Sequence, residues 1–268
     1  MTQVLVTGGT GDLGRELVPR LVSKGYDVTV LSRRANPSVP AGIRVVQGDL
    51  TTGAGLEDAL AGAEVIVHCA TGAREATVRG LGYRRSKKTD IDPTQRMLDA
   101  VKAKGSAPHV VYISIVGVDK IPLGYYRAKL ETEQAIERSG LPYSILRTTQ
   151  WHTFADEVSR RLSASPVLLL PKGLKSQLLD AGEVADRMAA IVDQGPSQHV
   201  PDMGGPEILD MRDVTKSWLE AKGKRRAVLS VPLPGKAVAG FAAGHNWAPE
   251  HADGRITWQQ WLRENVPS

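Results

Sequence analysis

The chain is poor in the residues that staple or anchor a protein. Among its 268 residues there is one cysteine, Cys69. No internal disulfide can form, which fits a reducing compartment and points to the cytoplasm. Only 5% of residues are aromatic, and no basic stripe interleaved with aromatics or known docking motif marks a nucleic-acid surface. No apolar run approaches the roughly 20 residues that cross a bilayer. The opening MTQVLVTGG lacks the basic region and cleavage site of a signal peptide. Neither nucleic acid nor membrane is therefore expected as a partner, and no metal site is expected. Internal repeats and low-complexity tracts are absent as well.

What is present is a mildly basic, ordinary globular composition, with a formal charge of +5, 41% hydrophobic and 24% charged residues. The basic residues are scattered. Their densest run, YRRSKK at Tyr83 to Lys88, reads as a solvated loop. An acidic small molecule, including a nucleotide phosphate, accounts better for the bias.

Short β-rich runs alternate with helical stretches through the first half. The strands expected are Gln3 to Thr7, Asp27 to Leu31, Ile43 to Gln47, Glu64 to Cys69, His109 to Ile115 and Tyr143 to Arg147. Most are continuously apolar, as parallel strands covered on both faces should be. Gly25, Gly105 and Gly140 each follow a helical pattern as C-terminal caps, and Pro142 blocks continuation. The alternation predicts an α/β fold, a doubly wound parallel sheet of the Rossmann type. After Arg147 the rhythm breaks. A short strand at Pro166 to Leu170, helices at Glu183 to Val192 and Asp210 to Ala221, and a terminal helix with Trp258, Trp261 and Leu262 on one face predict a small C-terminal substrate lobe. The division expected is a dinucleotide-binding core over 1–150. A lobe over 151–268 is interleaved with the core's last strands and helices.

VTGGTGDLGREL carries Gly9, Gly11 and Gly14 in G-x-G-x-x-G spacing, with Gly8 in front. It follows a strand and opens a helix in the first βαβ unit, the context that makes the motif informative. Glycine lets the backbone approach a pyrophosphate, and the helix N-terminus offers free N–H groups and partial positive charge. Thr7, Gly8, Gly9, Thr10, Gly11, Asp12, Leu13 and Gly14 are the expected cofactor-binding turn. At the end of the second strand, where an NAD-binding protein usually has an acid, stand Ser32, Arg33 and Arg34. Arginine pairs with a 2′-phosphate that an acid would repel. NADP(H) is the expected cofactor, with NAD(H) less favoured.

Tyr125 and Lys129 in GYYRAKLETEQ stand four apart on a helix, so their side chains share one face. That is the spacing of a proton donor beside a nicotinamide, and also of any amphipathic helix. Tyr126 is offset toward Leu130 and reads as a packing residue.

Together TGGTGDLG, LSRR, GDL, VHCAT, YISIVGVD and YYRAKLETE resemble the atypical short-chain dehydrogenase/reductases of the NmrA-like type, over nearly the whole chain. The resemblance implies that Asp49 and Leu50 lie against the adenine and that Cys69, Ala70 and Thr71 line the cofactor near its riboses. It implies that Lys129 binds the nicotinamide ribose and that Tyr125 gives the proton, its phenol brought toward the working pH by the Lys129 charge. Ser114 would assist. However, Ile115 stands where the standard reductases have their serine. Gln150, Trp151 and His152, after the sixth strand, would meet substrate.

The activity this implies is NADPH-dependent reduction of a small, mostly apolar carbonyl, quinone or enone compound. A non-catalytic NADP(H)-sensing regulator and a nucleotide-sugar epimerase are the alternatives. Substrate identity and oligomeric state are not legible.

Overall fold

The computed structural model describes residues 1–72 and 82–266. Its order begins with β1 (Gln3–Thr7), α1 (Asp12–Ser23), β2 (Asp27–Ser32), β3 (Arg44–Gln47), α2 (Leu56–Ala59) and β4 (Val65–His68). A helical turn α3 (Tyr83–Ser86) passes through a π-helical turn, Lys87–Ile91, into α4 (Asp92–Ala103). Then come β5 (His109–Ile115), α5 (Gly124–Arg138), β6 (Tyr143–Thr148), α6 (His152–Leu162), β7 (Val167–Pro171) and β8 (Lys175–Gln177). The chain finishes with α7 (Ala181–Gln194), β9 (Gln198–His199), β10 (Ile208–Asp210), α8 (Met211–Ala221), β11 (Ala227–Val231), α9 (Lys236–Ala242) and α10 (Trp258–Asn265).

Seven strands form one sheet in the order β3-β2-β1-β4-β5-β6-β9. Parallel registers such as Val4 beside Val28 and Val65 run through it. The doubly wound parallel sheet expected from the sequence is therefore the observed fold. The order reverses at β1, from which the chain winds outward in both directions. At such a switch point the crevice at the strands' carboxyl ends receives ligands.

The chain divides into two compact units. The first comprises 1–114, 123–146 and 184–200; the second comprises 115–122, 147–183 and 201–268. Residues 115–122 and 147–150 fall in the second unit, and 184–200 in the first. The place of 184–200 is fixed by charge and pairing. Arg20 on α1 donates to Asp186 at 2.6 Å, and Lys24 and Tyr26 both reach Asp193 at 2.6 Å. The backbone N–H of Val200 bonds the Ile145 carbonyl beside β9.

The first unit's core gathers Leu5 and Ile66 from the sheet with Met97, Leu98 and Val101 of α4 and Ile136 of α5. Met97 and Val101 repeat at four-residue spacing, so α4 presents an apolar stripe to the strands. The second unit packs Leu168, Leu178, Trp218, Trp258, Trp261 and Leu262 together. Asp210 caps α8 by accepting from the Arg212 N–H at 2.8 Å. The Asp cap and the Trp258, Trp261 and Leu262 face fall where the sequence placed them. The YRRSKK run does not: it is helical, not a loop. Ser86 and Asp90 turn inward four apart while Arg84, Arg85, Lys87 and Lys88 stay exposed. Helical periodicity lets a basic run keep its charges in water and still pack one face.

Candidate functional site

The glycine turn lies between β1 and α1. Gly8 adopts φ +74°, and a Cβ there would come within 2.6 Å of the Ala70 backbone nitrogen. The turn is therefore pressed against the chain leaving β4, a closeness only glycine permits. A Cβ on Gly14 would collide with the Gly8 carbonyl and the Gly9 backbone. Gly11 forms the N-cap of α1 in extended conformation with no side-chain cap. The first-turn N–H groups of a 12-residue helix are thus left without side-chain partners, the arrangement that suits a pyrophosphate. Leu13 is buried in the core face of α1, and Thr7 is fully buried. Asp12 and Thr10 are half-buried, and the Thr10 carbonyl accepts from Arg15.

Two further groups stand at the carboxyl ends of neighbouring strands. After β2, the Ser32 hydroxyl is buried and accepts from the Arg34 N–H at 3.1 Å, while Arg33 and Arg34 are exposed. After β3, Asp49 accepts from the Thr51 N–H at 2.8 Å, so one carboxylate oxygen holds its own turn, and Leu50 joins the core.

Past β4 the chain builds a buried polar cluster. His68 lies between two threonine hydroxyls, Thr7 at 2.6 Å and Thr94 at 2.8 Å. Thr94 gives its single proton to the Asp90 carbonyl, so Nε2 of His68 carries a proton and Nδ1 accepts from Thr7. Burial pushes His68 down to about 3, with the Lys129 charge acting the same way, so the ring is neutral. Cys69 is buried, and burial lifts its thiol to about 12. It is a packing residue and not a reactive thiol.

Tyr125 and Lys129 do meet this cluster. The Tyr125 hydroxyl lies 2.9 Å from that of Thr71, whose proton goes to Asp90 at 2.6 Å. Lys129, 3% exposed, donates to the Ile113 carbonyl at 2.7 Å and stands 4.2 Å above the Tyr112 ring. Burial lowers Lys129 to about 8, and Asp90, Glu133 and Cys69 pull it back. The expectation that Lys129 makes the Tyr125 phenol acidic fails. Burial and the Asp90 charge push that phenol well above its ordinary value. Tyr126 is buried too, its ring centroid 6.4 Å from that of Tyr125. Strand alternation puts Ser114 on the same face of β5 as Tyr112. Its hydroxyl is buried without a hydrogen-bond partner, and Ile115 is half-buried. Asp90, the acid on which this cluster turns, was missed by sequence reasoning. Its only signal was an Asp seven residues, about two helical turns, before Met97 on the apolar stripe of α4.

The proposed substrate residues belong to the second unit. Trp151 pairs with Leu179 and donates its indole N–H to Thr148 at 3.0 Å; Gln150 accepts from the Leu179 N–H. His152 is fully buried, 5.8 and 5.7 Å from the rings of Trp258 and Trp261, with neither ring nitrogen bonded. It is a core residue of that unit, because the first turn of α6 faces the tryptophans. An open depression elsewhere in the unit, lined by Lys216, Lys224 and Arg225, holds none of the expected site residues. No helix among the described residues is long and apolar enough to cross a membrane.

An uncapped helix N-terminus at the carboxyl end of the strand where the sheet order reverses defines the class, a Rossmann-type dinucleotide-binding protein. The chain belongs to the NAD(P)H-binding family, whose model matches residues 8–194. It is 32% identical over 257 residues to the chloroplastic divinyl chlorophyllide a 8-vinyl-reductase of Oryza sativa subsp. indica, covering 87% of this chain and 62% of that protein. Its fold matches NADPH-dependent quinone oxidoreductase QOR2 of Escherichia coli complexed with NADPH, with a TM-score of 0.75 and 18% identity over 97% of this chain and 99% of the other. It also matches the UDP-glucose 4-epimerase of Thermus thermophilus complexed with NAD, with a TM-score of 0.70 and 21% identity over 99% and 100% of the two chains. The chain spans between 21% and 62% of the length of the first curated relatives it matches.

Proposed function

We propose that this chain is an NADPH-dependent reductase of a small, mostly apolar carbonyl, quinone or enone compound, of the NmrA-like branch. The carrying observation is the Tyr125 hydroxyl, hydrogen-bonded to Thr71 and one helical turn from the buried Lys129, in the same unit as the glycine turn. A bound NADPH supplies the hydride. The first-turn N–H groups of α1 hold its pyrophosphate, and Arg33 and Arg34 favour a 2′-phosphate over a bare ribose hydroxyl. Lys129 keeps its ammonium below about pH 8, with two N–H groups beyond the one given to Ile113 available for ribose hydroxyls. Tyr125 gives the proton to the substrate oxygen. The unpartnered Ser114 hydroxyl, on the face of β5 that carries Tyr112, is free to accept or donate one further bond. The rice vinyl reductase and the bacterial quinone oxidoreductase are both named for reductions, which supports this reading.

A second reading, a non-catalytic NADP(H)-sensing regulator, is favoured by Ile115 at the usual serine position and by the Lys129 ammonium already spent partly on a backbone carbonyl. An epimerase would draw on a fuller Ser/Tyr/Lys set than this. A panel of carbonyl compounds, quinones and UDP-sugars, followed by NADPH absorbance and by ligand binding, decides among them. Turnover of an apolar ketone or quinone well above the protein-free rate establishes the reductase. Cofactor binding with no turnover leaves the regulator, and micromolar binding of a UDP-sugar alone would overturn both.

A further inference from the structure

We propose that Asp90 is a positioning residue for Tyr125: through the Thr71 hydroxyl it fixes the direction in which the phenol's proton points and keeps the phenol protonated. This rests on the reductase reading for its consequence, but the hydrogen-bond chain stands without it.

The chain is ordered by what each group can do. Asp90 is 3% exposed and sits at the inner side of the π-helical turn. Its carboxylate receives the Thr71 hydroxyl at 2.6 Å, the Thr89 hydroxyl at 2.7 Å and the Gly72 N–H at 3.2 Å. An ionised carboxylate only accepts, and a hydroxyl has a single proton. Thr71's proton is therefore committed to Asp90. At the 2.9 Å contact with Tyr125, Thr71 has only lone pairs to offer, so the phenol must be the donor. Charge-assisted bonds of this kind are about twice as strong as neutral ones, which makes Asp90 the stronger claimant on that proton.

Asp90 on the π-helical turn, Tyr126 on the same helix and Tyr112 on β5 all disfavour a charged phenolate at Tyr125. Lys129 and Glu133 stand on the same helix, and His68 and Cys69 at the end of β4. Lys129 is the one cation among them, and its ammonium is directed at the Ile113 carbonyl and the Tyr112 ring. The neutral phenol is thus favoured by burial, by Asp90 and by its own donation to Thr71.

The consequence concerns the pH range of proton donation. In reduction, hydride from the reduced nicotinamide would form a C–H bond on the substrate carbonyl carbon and leave the nicotinamide oxidised. The Tyr125 O–H would break as the product O–H forms, and the phenolate left behind would take a proton from water. That step starts from the neutral phenol, which this arrangement preserves to high pH. A reaction that starts from the phenolate as base is confined to higher pH by the same arrangement, because Thr71, its proton held by Asp90, offers the phenolate no hydrogen bond.

The test follows tyrosinate absorbance against pH on the full chain, with Tyr125→Phe in each background to isolate the Tyr125 step. We expect no such step in the wild type or in Thr71→Ser before unfolding. In Asp90→Asn a step appears, Tyr125 acidity rising at least about tenfold. In Thr71→Val, where the phenol loses the lone pair to which it donates, a step also appears. Adding Asp90→Asn to Thr71→Val lowers it further by less than Asp90→Asn does alone, because only the direct effect of the Asp90 charge is then left to remove. If Thr71 were instead free to donate to the phenolate, its loss would make Tyr125 less acidic. No step in Thr71→Val, or an Asp90→Asn effect of equal size with and without the Thr71 hydroxyl, would therefore overturn the proposal. Should Asp90→Asn fail to fold, the Thr71→Val and Thr71→Ser pair alone decides. If the expected steps appear yet no compound is ever turned over, Asp90 still orients Tyr125 and only the reductase reading fails.

Discussion

The imidazole of His68 and the hydroxyl of Thr7 meet at 2.6 Å across two neighbouring strands, which places a buried polar tie directly beneath the glycine turn. The same ring reaches Thr94 of α4 with its other nitrogen, so one side chain joins β1, β4 and α4. Both strands end at the turn, and the tie helps fix where it sits.

His68→Phe should therefore leave the buried Thr7 hydroxyl unpaired, at a cost of about 1–3 kcal/mol, while the Thr94 hydroxyl keeps its bond to the Asp90 carbonyl. Urea unfolding should show a loss of that size, against a much smaller loss in Thr94→Ser, which keeps the acceptor. A His68→Phe variant as stable as wild type would mean the ring is not bonded at both ends.

His152 makes the opposite case, being buried with neither nitrogen bonded. Burial lowers it from 6.5 to about 4, so the unfolded chain takes up its proton first. The stability conferred by the neutral ring is complete above about pH 6.5 and is lost as pH falls toward 4. In that window each such histidine steepens stability against pH by up to about 1.4 kcal/mol per pH unit. His109, lowered by burial to about 4, and His68 act alike. His152→Phe should change stability at neutral pH by less than about 1.5 kcal/mol and remove one proton's worth of acid sensitivity. Denaturant midpoints between about pH 4 and 7 give the slope, and an unchanged slope would refute the assignment.

Glycines of the turn should separate folding from binding. Gly8→Ala puts a Cβ within 2.6 Å of the Ala70 nitrogen at positive φ, so it should destabilise the protein by about 2 kcal/mol or more. At Gly11 a Cβ meets only the Gly8 carbonyl, at 3.3 Å. Gly11→Ala should fold near-normally and bind NADP(H) at least about tenfold more weakly, since the methyl group intrudes where the pyrophosphate approaches. Calorimetric binding beside thermal unfolding separates the two effects. In the same assay Arg33→Ala should weaken NADP(H) more than NAD(H); equal effects would remove the 2′-phosphate reading.

Steady-state kinetics on Tyr125→Phe, Tyr126→Phe and Lys129→Ala tests the proton donor. General acid catalysis is worth about 100- to 10,000-fold, and Tyr125→Phe should fall near the lower end, with Ile115 in place of a polarising serine. Lys129→Ala should raise KM for the cofactor and lower kcat together, and should also destabilise the fold, because Asp90 and Glu133 stay buried beside the missing ammonium. Tyr126→Phe should alter turnover little. Damage from Tyr126→Phe alone would move the donor one residue along α5.

Local pattern alone determined a good deal here. The continuously apolar runs around Val4, Val28, Val65 and Val110 announced parallel strands. Glycines at positions 8, 9, 11 and 14 announced the turn, Asp210 its helix start, and Trp258, Trp261 and Leu262 a buried face. Each is a signal that propensity, capping or periodicity writes within a few residues. Tertiary structure alone decided which side chains share a proton. Asp90 lies 19 residues from Thr71, and Thr71 lies 54 from Tyr125. They meet because β4, the π-helical turn and α5 converge at one end of the sheet. The same holds for His152, which a position after the sixth strand marked for substrate and which packing placed against the stacked pair Trp258 and Trp261. Periodicity says which face of an element is apolar, whereas the partner a polar group finds depends on strand register and helix placement, fixed only when the whole core closes.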